Sequence, residues 1–266
     1  MGAFASSDVA NALGSRNQHR CFAPAKINLT LHITGQRDDG YHLLDSLVVF
    51  CDIGDVVSVQ SAHQTQPGDP IAHRQFGLSV TGEFGGSLNN DEENLVAKAA
   101  RFLLQDPRFE PSENHNLLID LQKNLPVSSG MGGGSADAVA TLLALQKFGH
   151  LSPDFDWFQL AEKLGADVPM CLYSMPLIAR GIGEELNIVE RFPDLHLVLA
   201  NAGTAISTPS IFRELIHKTN APMAGAPPVE TLMAQRLPGH ACKRETSRPM
   251  RSGEASSVGL TSILPG

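Results

Sequence analysis

The residue types best suited to chemistry in this 266-residue chain are a lysine, an aspartate and a run of glycines. Lys26 stands in the apolar stretch from Cys21 to Leu31, and Asp167 in Gly165-Ala166-Asp167-Val168-Pro169. The glycines lie in Pro126-Val127-Ser128-Ser129-Gly130-Met131-Gly132-Gly133-Gly134-Ser135. A glycine-rich loop that empties into a helix offers free backbone N–H groups, the positive end of a dipole and room for close approach. Those are the needs of an anion site, most often for phosphate. Ser128, Ser129 and Ser135 add hydroxyl donors. A lysine, an aspartate and a phosphate cradle together match what phosphoryl transfer requires. The aspartate orients or deprotonates an attacking hydroxyl, the lysine compensates charge on it and on the transferring group, and the loop holds nucleotide phosphates. Each feature also has a plainer reading. The loop can be a flexible connector, Lys26 with Asn28 and Thr30 a solvated sheet face, and Asp167 a turn residue or helix C-terminal cap. The loop is not a P-loop, since no Gly-Lys-Ser/Thr follows, and Ser135 and Asp137 break G-x-G-x-x-G.

Around these residues the hydrophobic pattern predicts the positioning elements. Cys21 to Leu31 reads as a strand with Ile27, Leu29 and Leu31 on one face and Lys26, Asn28 and Thr30 on the other. Gly35 to Gly40 is a hairpin-type turn, followed by Tyr41 and His42. Leu43 to Phe50 and Asp55 to Val59 read as two strands joined by a turn at Asp52-Ile53-Gly54. Residues 61–75 read as an exposed loop, Phe76 to Val80 as a strand and Gly82 to Asn90 as a loop. Asn94 to Leu104 has helical spacing, and Leu117, Ile119 and Leu121 alternate as a half-buried strand ahead of the glycines. Ala138 to Phe148 reads as a helix, and Asp154 to Leu164 as another with Ser152 as N-cap and Pro153 at its first position. Leu164 to Pro169 then leads into a short apolar strand. Further strands are expected at Leu177 to Arg180 and Leu195 to Ala200, with a turn at Gly181-Ile182-Gly183. Ser207-Thr208-Pro209 caps a helix through Phe212 to Ile216, and Asn220 to Pro228 reads as a linker. Strands followed by a helix in the first half indicate α+β rather than alternating βαβ.

Composition narrows the classes further. Hydrophobic residues make up 42% and charged residues 18%, an ordinary globular balance for a chain able to bury one large or two small cores. A net charge of −8 argues against nucleic-acid or anionic-membrane partners. Cys21, Cys51, Cys171 and Cys242 form no C-x-x-C, which fits a reducing cytoplasm better than a zinc site or disulfide framework. No apolar run is long enough to span a bilayer. Residues 1–20 contain Asp8 and lack an apolar core, so they read as a frayed extension, with only a faint transit-peptide flavour in their Ser, Ala and Arg content. No G-x-S-x-G or H-E-x-x-H motif is present.

Four stretches in order carry a resemblance: Pro24-Ala25-Lys26-Ile27-Asn28-Leu29, Gly40-Tyr41-His42, Pro126 to Ser135, and Leu164-Gly165-Ala166-Asp167-Val168-Pro169. Together they resemble the GHMP kinase superfamily and, within it, the branch that phosphorylates a cytidyl diphosphate-linked polyol on the non-mevalonate route to isoprenoids. The likeness runs from about Cys21 to Phe212. It implies an α+β, two-domain GHMP kinase fold, with an N-terminal domain like domain 2 of ribosomal protein S5 and the site in the interdomain cleft. It also implies ATP as phosphoryl donor with Mg2+. By the same resemblance Asp167 matches the catalytic aspartate, Lys26 its partner, and Asn28 a residue lining the acceptor end. His42 matches a reader of the cytosine edge, Tyr41 and Phe212 aromatics flanking that base, and Thr208 a substrate-side position. Pro126 to Ser135 matches the loop around the ATP phosphates. The alternatives are another GHMP kinase, acting on homoserine, mevalonate or a sugar and lacking Gly-Tyr-His, or a relative that binds nucleotide without turnover.

The family's third glycine-rich motif, of the type Gly-Ser-Gly-Ala-x-x-Phe, is not matched by Arg251-Ser252-Gly253-Glu254-Ala255-Ser256-Ser257-Val258-Gly259. The expected organisation is therefore an extension over 1–20, an N-terminal kinase domain over 21–175, an incomplete C-terminal domain over 176–239 and an aberrant, disordered tail over 240–266.

Overall fold

The structure, a computed structural model, describes residues 18–61, 76–88, 93–112, 116–201 and 208–223, without the side chains of 208–210. Expectations for residues 1–17, 62–75, the linker past Met223 and the 240–266 tail fall outside that description. The chain folds as an α+β unit on one mixed sheet. Strand β1 (Gln18–Gln36) and strand β2 (His42–Ser61) form a long antiparallel hairpin. The other edge of β2 is shared: β7 (Leu177–Gly181) pairs with its first half and β5 (Leu117–Gln122) with its second. Strand β8 (Glu185–Ile188) extends the sheet beyond β7, and β3 (Phe76–Thr81) lies parallel to β5 at the other end. A parallel pair needs a crossover, and α1 (Leu95–Gln105) lies within it. A separate small ladder joins β4 (Phe109–Pro111) to β6 (Gly149–Leu151).

Helix α2 (Gly133–Leu145) packs against α1, β1 and β2, and against α4 (Val168–Tyr173), which in turn meets α3 (Trp157–Leu164). Its Ala- and Leu-rich sequence suits a helix covered on nearly every side, and Ala136 through Leu142 are all buried. The core between helices and sheet includes Val57, Val59, Leu103, Ile119, Leu121, Leu142 and Leu177. Asn94, expected as the first helical residue, is instead the cap of α1, its Oδ1 accepting from the Val96 N–H at 2.9 Å. The alternation of β5 places Leu117, Ile119 and Leu121 inward and leaves Leu118 44% exposed.

Several expectations are corrected. There is no turn at Asp52-Ile53-Gly54: β2 runs straight through. Gly54 serves a close approach, since a Cβ there would fall 2.2 Å from the Ala23 carbonyl oxygen. Strand β1 begins at Gln18 and does not bury Ile27, Leu29 and Leu31 as one face. Register shifts after Pro24 and Asn28 break the alternation, leaving Leu31 47% exposed and Lys26 5%. Helix α2 starts at Gly133, so the last glycines belong to its first turn. Asp156, not Ser152, caps α3, accepting from the N–H groups of Phe158 and Gln159; Ser152-Pro153 is a turn closed by Phe155 N–H to Ser152 O at 3.0 Å. The apolar run after Asp167 is helix α4 rather than a strand, with Pro169 in its first turn where no N–H is missed. Residues 195–200 form no strand, and the late helix α5 is Thr208–Arg213, earlier than expected. Residues 177–188, expected to open the second domain, complete the first sheet. No helix among the described residues is long and apolar enough to cross a membrane.

Candidate active site

The register shift between Pro24 and Lys26 puts two consecutive residues, Ala25 and Lys26, inside the protein. The Lys26 backbone N–H donates to the Met131 carbonyl at 2.8 Å. Its Nζ donates to Asp167 Oδ2 at 2.8 Å, with side-chain exposures of 7% for the lysine and 44% for the aspartate. Asp167 holds the residue position just before α4 yet makes no capping hydrogen bond, so its carboxylate is committed to Lys26. Lys26 is thus not a solvated lysine, while Asp167 also sits in the turn that Val168 N–H to Gly165 O closes at 3.1 Å.

The loop between β5 and α2 coils through left-handed backbone at Ser128, Gly130 and Gly132, with φ of 55°, 76° and 64°. Met131 turns inward against Ala25 and Leu125 and anchors the loop. At Gly132 the left-handed turn also brings the backbone onto Lys26, where a Cβ would sit 3.0 Å from Lys26 Cβ. The first-turn N–H groups of α2, from Gly133, Gly134 and Ser135, have no intrahelical acceptors and end the loop at a helix dipole. Pro126, Val127, Ser129 and Ser135 are half-buried around it, while Ser128, Gly130 and Gly134 are exposed. The structure thus brings Lys26, Asp167 and the glycine loop together beside the middle of the hairpin, where Lys26 pairs with Phe50.

The turn end of the hairpin holds the residues expected to meet a base. The turn at Arg37 to Gly40 closes with Gly40 N–H to Arg37 O at 2.9 Å, and Gly40 adopts φ of 90°. His42 stacks on Phe212 of α5, centroids 5.0 Å apart and planes 28° apart. Its buried Nε2 has no partner among the described residues. Tyr41 is 57% exposed and stands outside that stack. Asn28 Nδ2 donates to Ser46 Oγ at 2.6 Å, and Ser46 Oγ to Thr30 O at 2.6 Å, on the strand between the two groups. Thr208 begins α5, and its side chain is outside the described ones.

Sequence reasoning passed over a buried ionic cluster beneath the loop. Lys123 Nζ donates to Asp137 Oδ2 at 2.8 Å and to Asp55 Oδ2. Asp55 Oδ1 accepts from the backbone N–H groups of Asn124 and Leu125 at 2.6 and 2.8 Å. All three side chains are under 5% exposed. Two carboxylates share one ammonium, and burial, partly offset by Lys123, pushes the Asp137 carboxyl up to about 7. The sequence offers little signal for it: Asp137 lies between Ala136 and Ala138, but Lys123 lies between the polar Gln122 and Asn124. Nearby, burial and then the Asp167 charge push the Cys171 thiol up to about 12, so it is no nucleophile.

Comparison with known proteins gives the family. The family described as "GHMP kinases N terminal domain" matches residues 94–175. The 4-diphosphocytidyl-2-C-methyl-D-erythritol kinase of Ruegeria pomeroyi is 48% identical over 203 residues, covering 76% of this chain and 65% of that protein. That of Paracoccus denitrificans is 45% identical over 229 residues, covering 85% of this chain and 72% of the relative. The chain thus spans about two thirds of the length of these relatives. A crystal structure of 4-(cytidine 5'-diphospho)-2C-methyl-D-erythritol kinase superposes with a TM-score of 0.63 at 31% identity, covering 81% of this chain and 72% of that one. The chain belongs to the GHMP kinases and, among them, to the 4-diphosphocytidyl-2-C-methyl-D-erythritol kinase family.

Proposed function

We propose that this chain transfers the γ-phosphoryl group of ATP to the 2-hydroxyl of 4-diphosphocytidyl-2-C-methyl-D-erythritol. The observation that carries the reading is Lys26, which joins the glycine loop through its backbone and Asp167 through its ammonium. Lys26 occupies Asp167 Oδ2 and leaves Oδ1 for the acceptor hydroxyl, which Asp167 orients or deprotonates. The ammonium offsets the charge of the carboxylate and of the transferring group. Pro126 to Ser135 wraps the ATP phosphates, its N–H groups and hydroxyls taking the place of a P-loop lysine. Mg2+ would come with those phosphates and neutralise their charge; Asp167 is the exposed carboxylate at hand for it.

At the turn end of the hairpin His42 offers its unpartnered Nε2 to the cytosine edge, Phe212 and Tyr41 flank the base, and Asn28 lines the acceptor path. We place the reaction in the cytoplasm, in keeping with free thiols at Cys21, Cys51 and Cys171.

A phosphoryl-transfer assay with ATP, magnesium and the cytidyl substrate, run beside homoserine and mevalonate, tests the reading. Phosphorylation of the cytidyl substrate alone is expected. Phosphorylation of homoserine or mevalonate without the cytidyl substrate would overturn it.

A further inference from the structure

The segment that carries Phe212 to His42 is fastened down by residues that take no part in the chemistry above. From Lys218 to Met223 it runs along β1 in the opposite direction. Lys218 Nζ donates to Gln36 Oε1 at 3.4 Å, and the backbone N–H and Nδ2 of Asn220 both donate to Ile33 O, at 2.9 and 3.0 Å. His32 Nδ1 lies 3.0 Å from the Ala221 carbonyl oxygen, and Thr30 Oγ1 donates to Met223 Sδ at 2.7 Å. The remaining tie is ionic. Asp45 Oδ2 accepts from the Met223 N–H at 3.0 Å, and Oδ1 from Arg180 Nε at 3.1 Å.

Asp45 stands directly opposite His32 of β1 and Arg180 of β7, so three neighbouring strands turn side chains of one face toward this strap. A carboxylate that is 1% exposed is costly unless both oxygens are satisfied. The sheet supplies Arg180 for one oxygen and, among the described residues, the strap alone supplies a partner for the other. The burial of Asp45 is therefore a feature of the strapped state.

We propose that Asp45, held by Arg180, is a positioning residue for the base-binding end, latching the 218–223 strap across β1 and so fixing Phe212 over His42. The inference rests on the assignment of His42 and Phe212 to the cytosine. With the strap latched, the aromatic wall is in place before the ligand arrives. Without it, binding must also order the segment, which weakens the base end and leaves the phosphoryl end untouched.

Calorimetric binding of cytidine diphosphate reads the base end whether or not turnover occurs. Asp45→Ala is expected to weaken it about tenfold, the size of one lost hydrogen bond to a charged group. Asp45→Asn keeps an acceptor for the Met223 N–H and should recover most of that loss. ATP affinity should stay within about twofold in both, because the glycine loop shares no partner with Asp45. Asn220→Pro removes both Asn220 bonds at the surface and should weaken cytidine diphosphate likewise, so the outcome does not hang on one buried substitution. Trypsin should cut after Lys218 faster in Asp45→Ala and Asn220→Pro than in the wild type. Unchanged cytidine diphosphate affinity in these two variants overturns the latch alone. Equal losses for cytidine diphosphate and ATP overturn it too, since they mark a general structural effect. A wild-type protein that binds ATP but not cytidine diphosphate overturns the base-end assignment, and the latch with it.

Discussion

The backbone N–H of Lys26 donates to the carbonyl of Met131 at 2.8 Å, stitching the glycine loop to the strand that carries the ammonium. The separation between the loop and Lys26 Nζ is thereby set by main chain, and Asp167 is placed against the same ammonium at 2.8 Å. Loop, lysine and aspartate are thus joined through one residue by two hydrogen bonds. Preorganisation of this kind is what positions charge for a transition state without reorganisation at the moment of reaction.

Asp167→Asn should therefore separate chemistry from binding. The amide still accepts from Lys26 but neither takes a proton nor carries the charge that Lys26 offsets. A fall in kcat of about 10²–10⁴-fold is expected, the usual range for a positioned acid–base group. Affinity for ATP, measured by calorimetry, should change by no more than about threefold, because the loop donors are untouched. An ATP affinity that fell in step with kcat would identify Asp167 as structural.

Gly132 and Gly130 both lie in left-handed backbone, yet alanine should act differently at each. Gly132→Ala brings a methyl 3.0 Å from Lys26 Cβ and 3.3 Å from Cε, whereas Gly130→Ala meets nothing within 4 Å. Both should lose about 1–2 kcal/mol of stability from the left-handed φ. Only Gly132→Ala should also displace Lys26, lowering kcat beyond what its melting temperature explains. Equal kcat in the two variants would break the link between loop and lysine.

His42→Ala and Phe212→Ala test the base end. Each should raise KM for the cytidyl substrate and leave KM for ATP nearly unchanged. For Phe212→Ala the loss of one stacking face is worth about 1–3 kcal/mol, roughly five- to 150-fold in affinity. A parallel loss for both substrates would point to a general structural effect rather than to a missing base contact.

The legibility of this fold from sequence follows the range of the forces involved. Features set by neighbouring residues were readable: the alternation of Leu117, Ile119 and Leu121, the helix that follows Asn94, the turn ahead of His42. Features set by distant backbone were not. Gly54 looks like a turn residue and is instead the space that Ala23 needs, so the continuity of β2 was hidden. The short apolar run Val168 to Tyr173 fits strand or helix equally, and packing against α2 and α3 makes it a helix. At the site, Lys26, Asp167 and the glycines were conspicuous as chemistry. The Asp55–Lys123–Asp137 cluster was not, because Asp55 and Lys123 are 68 positions apart and either alone resembles a surface charge.

That cluster gives the last prediction, a pH dependence. In the folded protein the Asp137 carboxyl is pushed up to about 7, above the ordinary value of 3.8. The folded state therefore keeps a proton that the unfolded chain releases between about pH 4 and 7. Stability contributed by this group is fully present below about 4 and is lost as pH rises through about 7. Asp137→Asn carries no such proton and still accepts from Lys123, so it should gain stability relative to the wild type across that window and hold the gain above it. Urea unfolding of both proteins from pH 5 to 8.5 measures the difference, and a constant difference would show that the proton is not shared. Lys123→Met strands two buried carboxylates and should cost about 3–5 kcal/mol at neutral pH. Its loss should shrink when combined with Asp137→Asn, since one of the stranded charges is gone. The distance from Lys123 Nζ to a methyl at Gly133 would be only 2.8 Å, so the same ammonium explains why the first residue of α2 is glycine. Gly133→Ala should accordingly destabilise the wild type more than it does Lys123→Met, in which no ammonium is held against the added methyl.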